Sequence, residues 1–402
     1  MDLLLNQCSV AFTNDNAWRT GRDLAFGALT CFGKHTLTGM LTASGQQFMD
    51  WSSAYRVFSQ ERVDTSKLFD VVRSGVMQEL GSQPMIVAHM DDTIIKKTGK
   101  HIPGTAWRRD PLGPPFQTNF IWGQRFLQIS IALPDNQGSC QSRAVPIDFH
   151  HCPTAKKPKK KDKIEEQDFY KEQQKKLKLS KQGSDRLLHL RKAMDEQGAY
   201  EKQLLVSVDG SYTNEQVIKN LPDRTTLIGR IRKDTKLYLA PKSQLDKGRK
   251  RVYGVRLPTP EQIRQSDQYP YQQVKAWAAG KEHLFNVKVI KDTLWRSAGQ
   301  KHILQLVIIK PLGYRLTKSS RVLYREPAYL ICTDNELDIA KLLQAYLWRW
   351  EIEVNFREEK SLLGCGQAQV RNPESVERVP AFISAIYAIL QLAAFRSLRK
   401  SN

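Results

Sequence analysis

Two short apolar runs, Met85-Ile-Val-Ala-His-Met and Gln203-Leu-Leu-Val-Ser-Val, each lead straight into an aspartate. Runs of this length, rich in Ile and Val, read as buried strands. A carboxylate at the end of a buried strand is costly unless it is paired or bound to a metal ion. The first run gives Asp91-Asp92-Thr93 and the second Asp209-Gly210-Ser211, which share the form Asp-x-Thr/Ser. One such tripeptide is commonplace, because a turn or helix-cap aspartate produces it. Two in one chain, both closing Val- or Ile-containing strands, point to chemistry.

A third carboxylate stands on a helix. From Leu337 to about Leu363 the pattern predicts one long helix, and it contains Tyr346-Leu-Trp-Arg-Trp-Glu-Ile-Glu353-Val-Asn-Phe-Arg-Glu-Glu-Lys360. At about 100° per residue, Tyr346, Arg349, Glu353 and Lys360 share a face roughly 60° wide. A solvated face laced with ion pairs three and four residues apart is the ordinary alternative. That alternative spreads charge over the outer side and does not predict one carboxylate in line with a tyrosine and two cations.

The rest of the chain frames these sites. Residues 15–80 read mainly as helices, and Thr36–Leu41 and Phe48–Phe58 flank a small-residue turn in the manner of a helix-turn-helix or of an ordinary helical bundle. Strands are expected over Asn119–Leu133, Ser142–Phe149, Thr225–Ile231, Phe285–Ile290 and Ile303–Ile309, and helices over Leu187–Tyr200, Asn214–Asn220 and Phe382–Leu398. Residues 155–181, with the block Lys156-Lys-Pro-Lys-Lys-Lys, read as a solvated loop or disordered segment. His150-His151-Cys152 has too few partners for the four ligands of a zinc site and reads as a strand end and turn.

The spacing Tyr-x2-Arg-x3-Glu-x6-Lys resembles the YREK signature of one branch of the DDE insertion-sequence transposases, with Tyr346, Arg349, Glu353 and Lys360 at its four positions. The order Asp, Asp, Glu along the chain is also theirs. The resemblance implies an α/β fold with a ribonuclease-H-like core, a mixed sheet with flanking helices, as in retroviral integrases. It implies an N-terminal helical, DNA-binding domain over 1–80, the first part of the core over 81–231, a β-rich insertion over 232–325, and the last part of the core with C-terminal helices over 326–402. The 144 residues between Asp209 and Glu353 fit a branch that carries an insertion there.

The same resemblance implies the chemistry. Asp91, Asp209 and Glu353 would be the catalytic acids and the ligands of two Mg2+ or Mn2+ ions, with Asp92 the alternative to Asp91. Tyr346, Arg349 and Lys360 would contact DNA phosphates, and the reaction would be cleavage at transposon ends followed by strand transfer. In the insertion, Arg249, Lys250 and Arg251 are candidate DNA contacts, and Trp295 is either a base-stacking residue or a core tryptophan. Partners would be double-stranded DNA and a second copy of the chain, in a bacterial, nucleoid-associated, cytoplasmic setting.

Charge agrees with a polyanionic partner: 62 Lys and Arg against 41 Asp and Glu give +21. Six scattered cysteines with no C-x-x-C pair suit a reducing compartment. The N-terminus lacks the basic flank of a signal peptide, and no apolar run reaches the roughly 18–20 residues expected of a membrane span. Two other readings stand beside the first: a nuclease on the same fold that does not join strands, and a non-catalytic or domesticated DNA-binding protein.

Overall fold

In the computed structural model, which describes residues 1–401 other than 111–112, 115, 136–139, 160–162, 242–250, 300–301, 316 and 318, the apolar run from Met85 does not stop at the aspartates. It continues through Thr93-Ile-Ile as one strand, β1 (Met85–Lys96). Asp91 and Asp92 therefore lie inside a strand and not at its end. The β-branched residues after them keep the chain extended, and an antiparallel neighbour continues to pair with it as far as Lys96.

That neighbour is β3 (Phe120–Pro134), which also pairs with β2 (Ala106–Arg109) and β4 (Ser142–His151). On its other side β1 runs parallel to β5 (Gln203–Val208), and β5 runs parallel to β6 (Thr225–Arg230). Three antiparallel strands followed by two parallel ones, with helices on both faces, make a ribonuclease-H-like core. The sheet does not end at β6. Beyond β7 (Leu237–Leu239), β8 (Gln272–Ala278), β9 (Lys281–Trp295), β10 (Leu304–Ile309), β11 (Gly313–Tyr314) and β12 (Leu323–Tyr324) comes β13 (Ala328–Cys332), which returns antiparallel to β6. The order β6-β13-β10-β9-β7, with β8 also on β9, makes one sheet of eleven strands, and β11 and β12 form a separate pair. The strands of 232–325 thus widen the core sheet.

Strand alternation divides the two faces. Ile86, Ala88 and Met90 of β1 and Leu204, Val206 and Val208 of β5 face the larger apolar core. The helix Leu179–Glu196 reaches this core through Leu187, Leu190 and Met194. Counting helices along the chain, α1 (Asp2–Gln7), α2 (Asp15–Thr30), α3 (Leu37–Ala43), α4 (Ser52–Ser59) and α5 (Thr65–Leu80) precede the sheet, and α6 (Ile164–Lys176) and α7 (Leu179–Glu196) follow β4. Side chains of α2 to α5 belong to the same core, so the N-terminal helices pack against the sheet layer. The opposite face carries Met85, Val87, His89 and Asp91 on β1 and Leu205, Ser207 and Asp209 on and just after β5. Its apolar part packs against Leu342, Leu343 and Ala345.

Three expectations are corrected. The segment 155–181 is not wholly a loop, because α6 occupies half of it. That helix buries no side chain, and Glu165 and Glu166 in its first turn and Lys175 and Lys176 in its last complement the helix dipole. The one long helix over 337–363 is two, α10 (Ile339–Trp348) and α11 (Trp350–Ser361), joined at Arg349. There the Arg349 N–H bonds Tyr346 O, three residues back, at 3.2 Å, a local tightening of the helix. Finally, α12 (Pro373–Ser401) contains a stretch, Pro373–Leu398, long and apolar enough by composition to cross a membrane. Of that window 61% is buried, with Val379, Phe382, Ile386 and Leu392 in the larger core, which is how a core helix lies. Between α7 and α10 lie the short helices α8 (Glu215–Lys219) and α9 (Pro260–Gln265).

Candidate active site

The parallel register pairs Met90 with Val208, so Asp91 and Asp209 follow side by side at the point where β5 ends. Both project from the face that packs on α10 and α11. A cavity of about 260 Å³ opens there, lined by Asp91, Asp209, Gly210, Arg230, Tyr346, Arg349 and Glu353. Three acids separated by up to 262 positions in sequence are gathered by two parallel strands and one helix.

Arg349 organises this cavity. One guanidinium nitrogen lies 3.0 Å from Asp91 Oδ2 and the other 3.2 Å from Glu353 Oε1, so a single side chain bridges two of the acids. Its position at the junction of α10 and α11 aims it into the cavity. Burial pushes the Asp91 carboxyl up to about 7, and the neighbouring Asp209 charge adds to the rise against the opposing pull of Arg349. The site therefore holds more negative charge than one guanidinium offsets.

Asp92 faces the other way. Its carboxylate lies 3.2 Å from Arg125 Nε and accepts a 2.9 Å hydrogen bond from the Tyr212 hydroxyl. Tyr212 is fully buried. The alternation along β1 thus puts Asp91 in the cavity and Asp92 in a separate ion pair behind the sheet.

Lys360 lies one step along β1 from the acids. Its Nζ donates to Thr93 Oγ1 at 2.6 Å, two residues beyond Asp91 on the same face. Tyr346, Arg349, Glu353 and Lys360 therefore all turn toward β1, although the helix carrying them is broken. The second half of that helix is held by buried polar contacts. Ser130 Oγ donates to Asn355 Oδ1 and Asn355 Nδ2 to Ala144 O, both at 3.0 Å, and Ser384 Oγ donates to Glu359 Oε1 at 2.8 Å. These bonds tie α11 to β3, β4 and α12, and so fix the height of Glu353 over the sheet.

Beneath the acids, His89 Nδ1 and Ser207 Oγ are 2.7 Å apart. Burial, with the Arg349 charge, pushes the His89 imidazole down to about 3, so it stays neutral. Sequence reading missed this pair and also Arg230, which ends β6 at the cavity wall. Stepping back two residues from Asp91 and from Asp209 finds His89 and Ser207. The place of Arg230 depends on β6 lying beside β5, which the local pattern does not encode.

The other candidates lie elsewhere. Trp295 ends β9, half-buried against the larger core. Arg251 is exposed on a loop, and Arg249 and Lys250 lie outside the described residues. Helices α3 and α4 are seven and eight residues long, and α4 turns Ala54, Val57 and Phe58 into the core. His151 donates toward Glu377 at 3.0 Å, and among the described residues no three His, Cys, Asp or Glu side chains stand close enough to ligate one ion.

A strand-borne acid pair with a helix-borne third acid, on a ribonuclease-H-like sheet, defines a class of carboxylate nuclease sites. A family model described as DDE superfamily endonuclease matches residues 9–284, more than half of the chain, and the chain belongs to this family. The match includes Asp91 and Asp209 and ends before Glu353. No curated protein matches the chain. Membership makes the protein a nuclease of the DDE type, in a family that acts on DNA and generally uses divalent metal ions.

The donor type suits such ions, although Asp91, Asp209 and Glu353 are themselves among the described side chains that do not stand close enough in threes to ligate one ion. All three acids offer hard carboxylate oxygens, the ligands magnesium and manganese prefer. The Arg349 guanidinium lies between Asp91 and Glu353 and offsets part of their charge.

Proposed function

We propose that the chain is a transposase of the YREK branch, which cuts DNA at the ends of a mobile element and joins them to a target. The observation that carries this reading is the Arg349 bridge between Asp91 and Glu353, made in one cavity with Asp209 and Tyr346. A nuclease needs the acids, and a row of Tyr, Arg and Lys beside them supplies the hold on DNA phosphates that repeated cutting and joining requires.

In this reading Asp91, Asp209 and Glu353 would hold divalent ions, which would supply neutralisation of charge on the attacking and leaving oxygens of the phosphodiester. The chain's own residues do the rest. Asp91, whose carboxyl burial raises to about 7, would have to release its proton to solvent in order to serve as a ligand. Arg349 exchanges its carboxylate partners for a phosphate, which its planar fork fits equally well. Tyr346 and Lys360 contact the same strand on either side. His89 and Ser207 keep the floor of the cavity polar without adding charge. Holding two ends together requires a second copy of the chain.

The test is a joining assay. Labelled duplexes carrying the inverted repeats that flank the coding sequence are incubated with supercoiled plasmid, protein and Mg2+. The account expects labelled plasmid, formed through the free 3′ hydroxyl. Metal-dependent nicking without joining would reduce the protein to a nuclease of the same family.

A further inference from the structure

The strands β1, β2 and β3 carry on together past the end of β5. The last β5 pair is Val208 with Met90, whereas β1 pairs with β3 as far as Lys96 and Gly123, and β2 pairs with β3 from Ala106 to Arg109. This three-stranded projection carries large aromatic side chains in water. Trp107, opposite Trp122 in the register, is 67% exposed, and Phe120, opposite Arg109, is 59% exposed. Steps of two along β3, from Gln128 opposite Asp91 to Trp122 and Phe120, put all four on the Asp91 face of the sheet.

Single exposed aromatics are ordinary on a protein surface. These are neighbours on one face, and the tryptophans are in contact. The two tryptophan rings meet edge to face with centroids 5.5 Å apart, and Trp122 Nε1 donates to Gly99 O at 3.0 Å. Cations accompany them. Arg109 and Lys100 are exposed, and Arg109 has no ion pair among the described residues. The nearby Asp110 carboxylate faces Lys96 at 3.8 Å. A rigid aromatic face with unspent positive charge suits a strand of nucleic acid. Rings that stand out from a sheet offer flat faces, and only bases released from a duplex can stack on them.

We propose that this projection is a stacking platform for unpaired nucleotides of the DNA strand that is cut. Trp107 and Phe120 would stack bases, and Arg109 would meet the backbone phosphate. Trp122 stands opposite the position six residues beyond Asp91, about 20 Å along the strand at 3.3 Å per residue, a length that about six nucleotides span when stacked at the duplex spacing of about 3.4 Å and fewer span when extended. The assignment rests on the reading that the Asp91 cavity cuts DNA.

The test uses the full chain carrying Glu353→Gln, so that the probe survives. Fluorescence anisotropy compares a duplex ending in about six unpaired nucleotides with the same duplex fully paired. The forked probe should bind more tightly, and Trp107→Ala or Phe120→Ala should each weaken it about tenfold while leaving the paired duplex little changed. Trp107→Phe, which keeps a ring, should retain most of the preference, and circular dichroism checks that each variant is folded. A 2-aminopurine in the unpaired arm should be quenched by the protein with Trp107 and not by the alanine variant. Equal affinities in all variants, or equal losses on both probes, would overturn the platform. So would a change from dimer to monomer without DNA in Trp107→Ala, which would make this face a contact between copies. If the wild type cuts no DNA with metal while the forked preference still depends on Trp107, the nuclease reading fails and the platform stands.

Discussion

Replacing Asp91 by Asn removes a charge that the metal-free protein buries at a cost. The Asp91 carboxyl is held at about 7 against an ordinary 3.8, because it is buried and Asp209 is close. An acid whose folded pKa is raised binds its proton more tightly in the folded state. Below about pH 4 both states are protonated and the group contributes nothing. As pH rises from about 4 to about 7 the unfolded chain releases the proton first, so stability falls, and above about 7 the full penalty stays. At 1.36 kcal/mol per unit the penalty reaches an upper limit of about 4 kcal/mol, of which about 3 develops between pH 5 and pH 8. Asn imitates the protonated acid and escapes it. In chelator, Asp91→Asn should therefore unfold at a temperature roughly 3–5 °C higher than the wild type at pH 8, with less than half of that gain at pH 5. Adding Mg2+ should raise the wild type and leave the variant where it was. Thermal unfolding at the two pH values, with and without metal, measures all four cases. A gain that is the same at both pH values, or a loss at pH 8, would refute the argument that Asp91 is the strained acid.

Other consequences follow from the same geometry. Asp92→Asn should leave metal-dependent cleavage within about tenfold of the wild type, since Asp92 is paired with Arg125 and Tyr212, whereas Asp91→Asn should abolish it. Tyr212→Phe should cost about 1–2 kcal/mol in urea unfolding, because it removes a buried hydrogen bond to a carboxylate, and should not alter metal binding. Arg349→Ala strips the acids of their bridging cation, so the stability of the metal-free protein should fall, and fall further as pH rises from 5 to 8 and Asp91 ionises. Glu359, fully buried beside Ser384 and pushed up to about 8, should make Glu359→Gln nearly neutral at pH 4 and increasingly stabilising as pH rises from about 4.5 to about 8, as thermal unfolding would read.

Much of the site is legible in the sequence because it rests on local rules. Asp91 and Asp209 follow apolar runs, and Tyr346, Arg349, Glu353 and Lys360 recur at helical spacing. What escapes is set by neighbours. The charges at Asp91 and Asp92 look like the end of a strand, yet β3 pairs on to Lys96 and β1 extends with it. The break at Arg349 leaves helical dihedrals in place, so no proline or glycine announces it. The segment after the lysine block has no apolar stripe, so periodicity is silent where end charges on α6 are the signal. The widening of the sheet by β13, β10 and β9 is a matter of which strand meets β6, and the insertion reads only as strand-rich until that pairing is known.

The central claim is that Glu353, which lies beyond the reach of the family match, is the third acid of the site. Strand cleavage of a labelled duplex carrying the element's own ends, with Mg2+ or Mn2+, tests it most directly when wild type and Glu353→Gln are compared alongside their DNA affinities. Nicking at the ends should require metal and be lost in Glu353→Gln while DNA binding persists. Equal cleavage by the two proteins would remove Glu353 from the site and contradict the account.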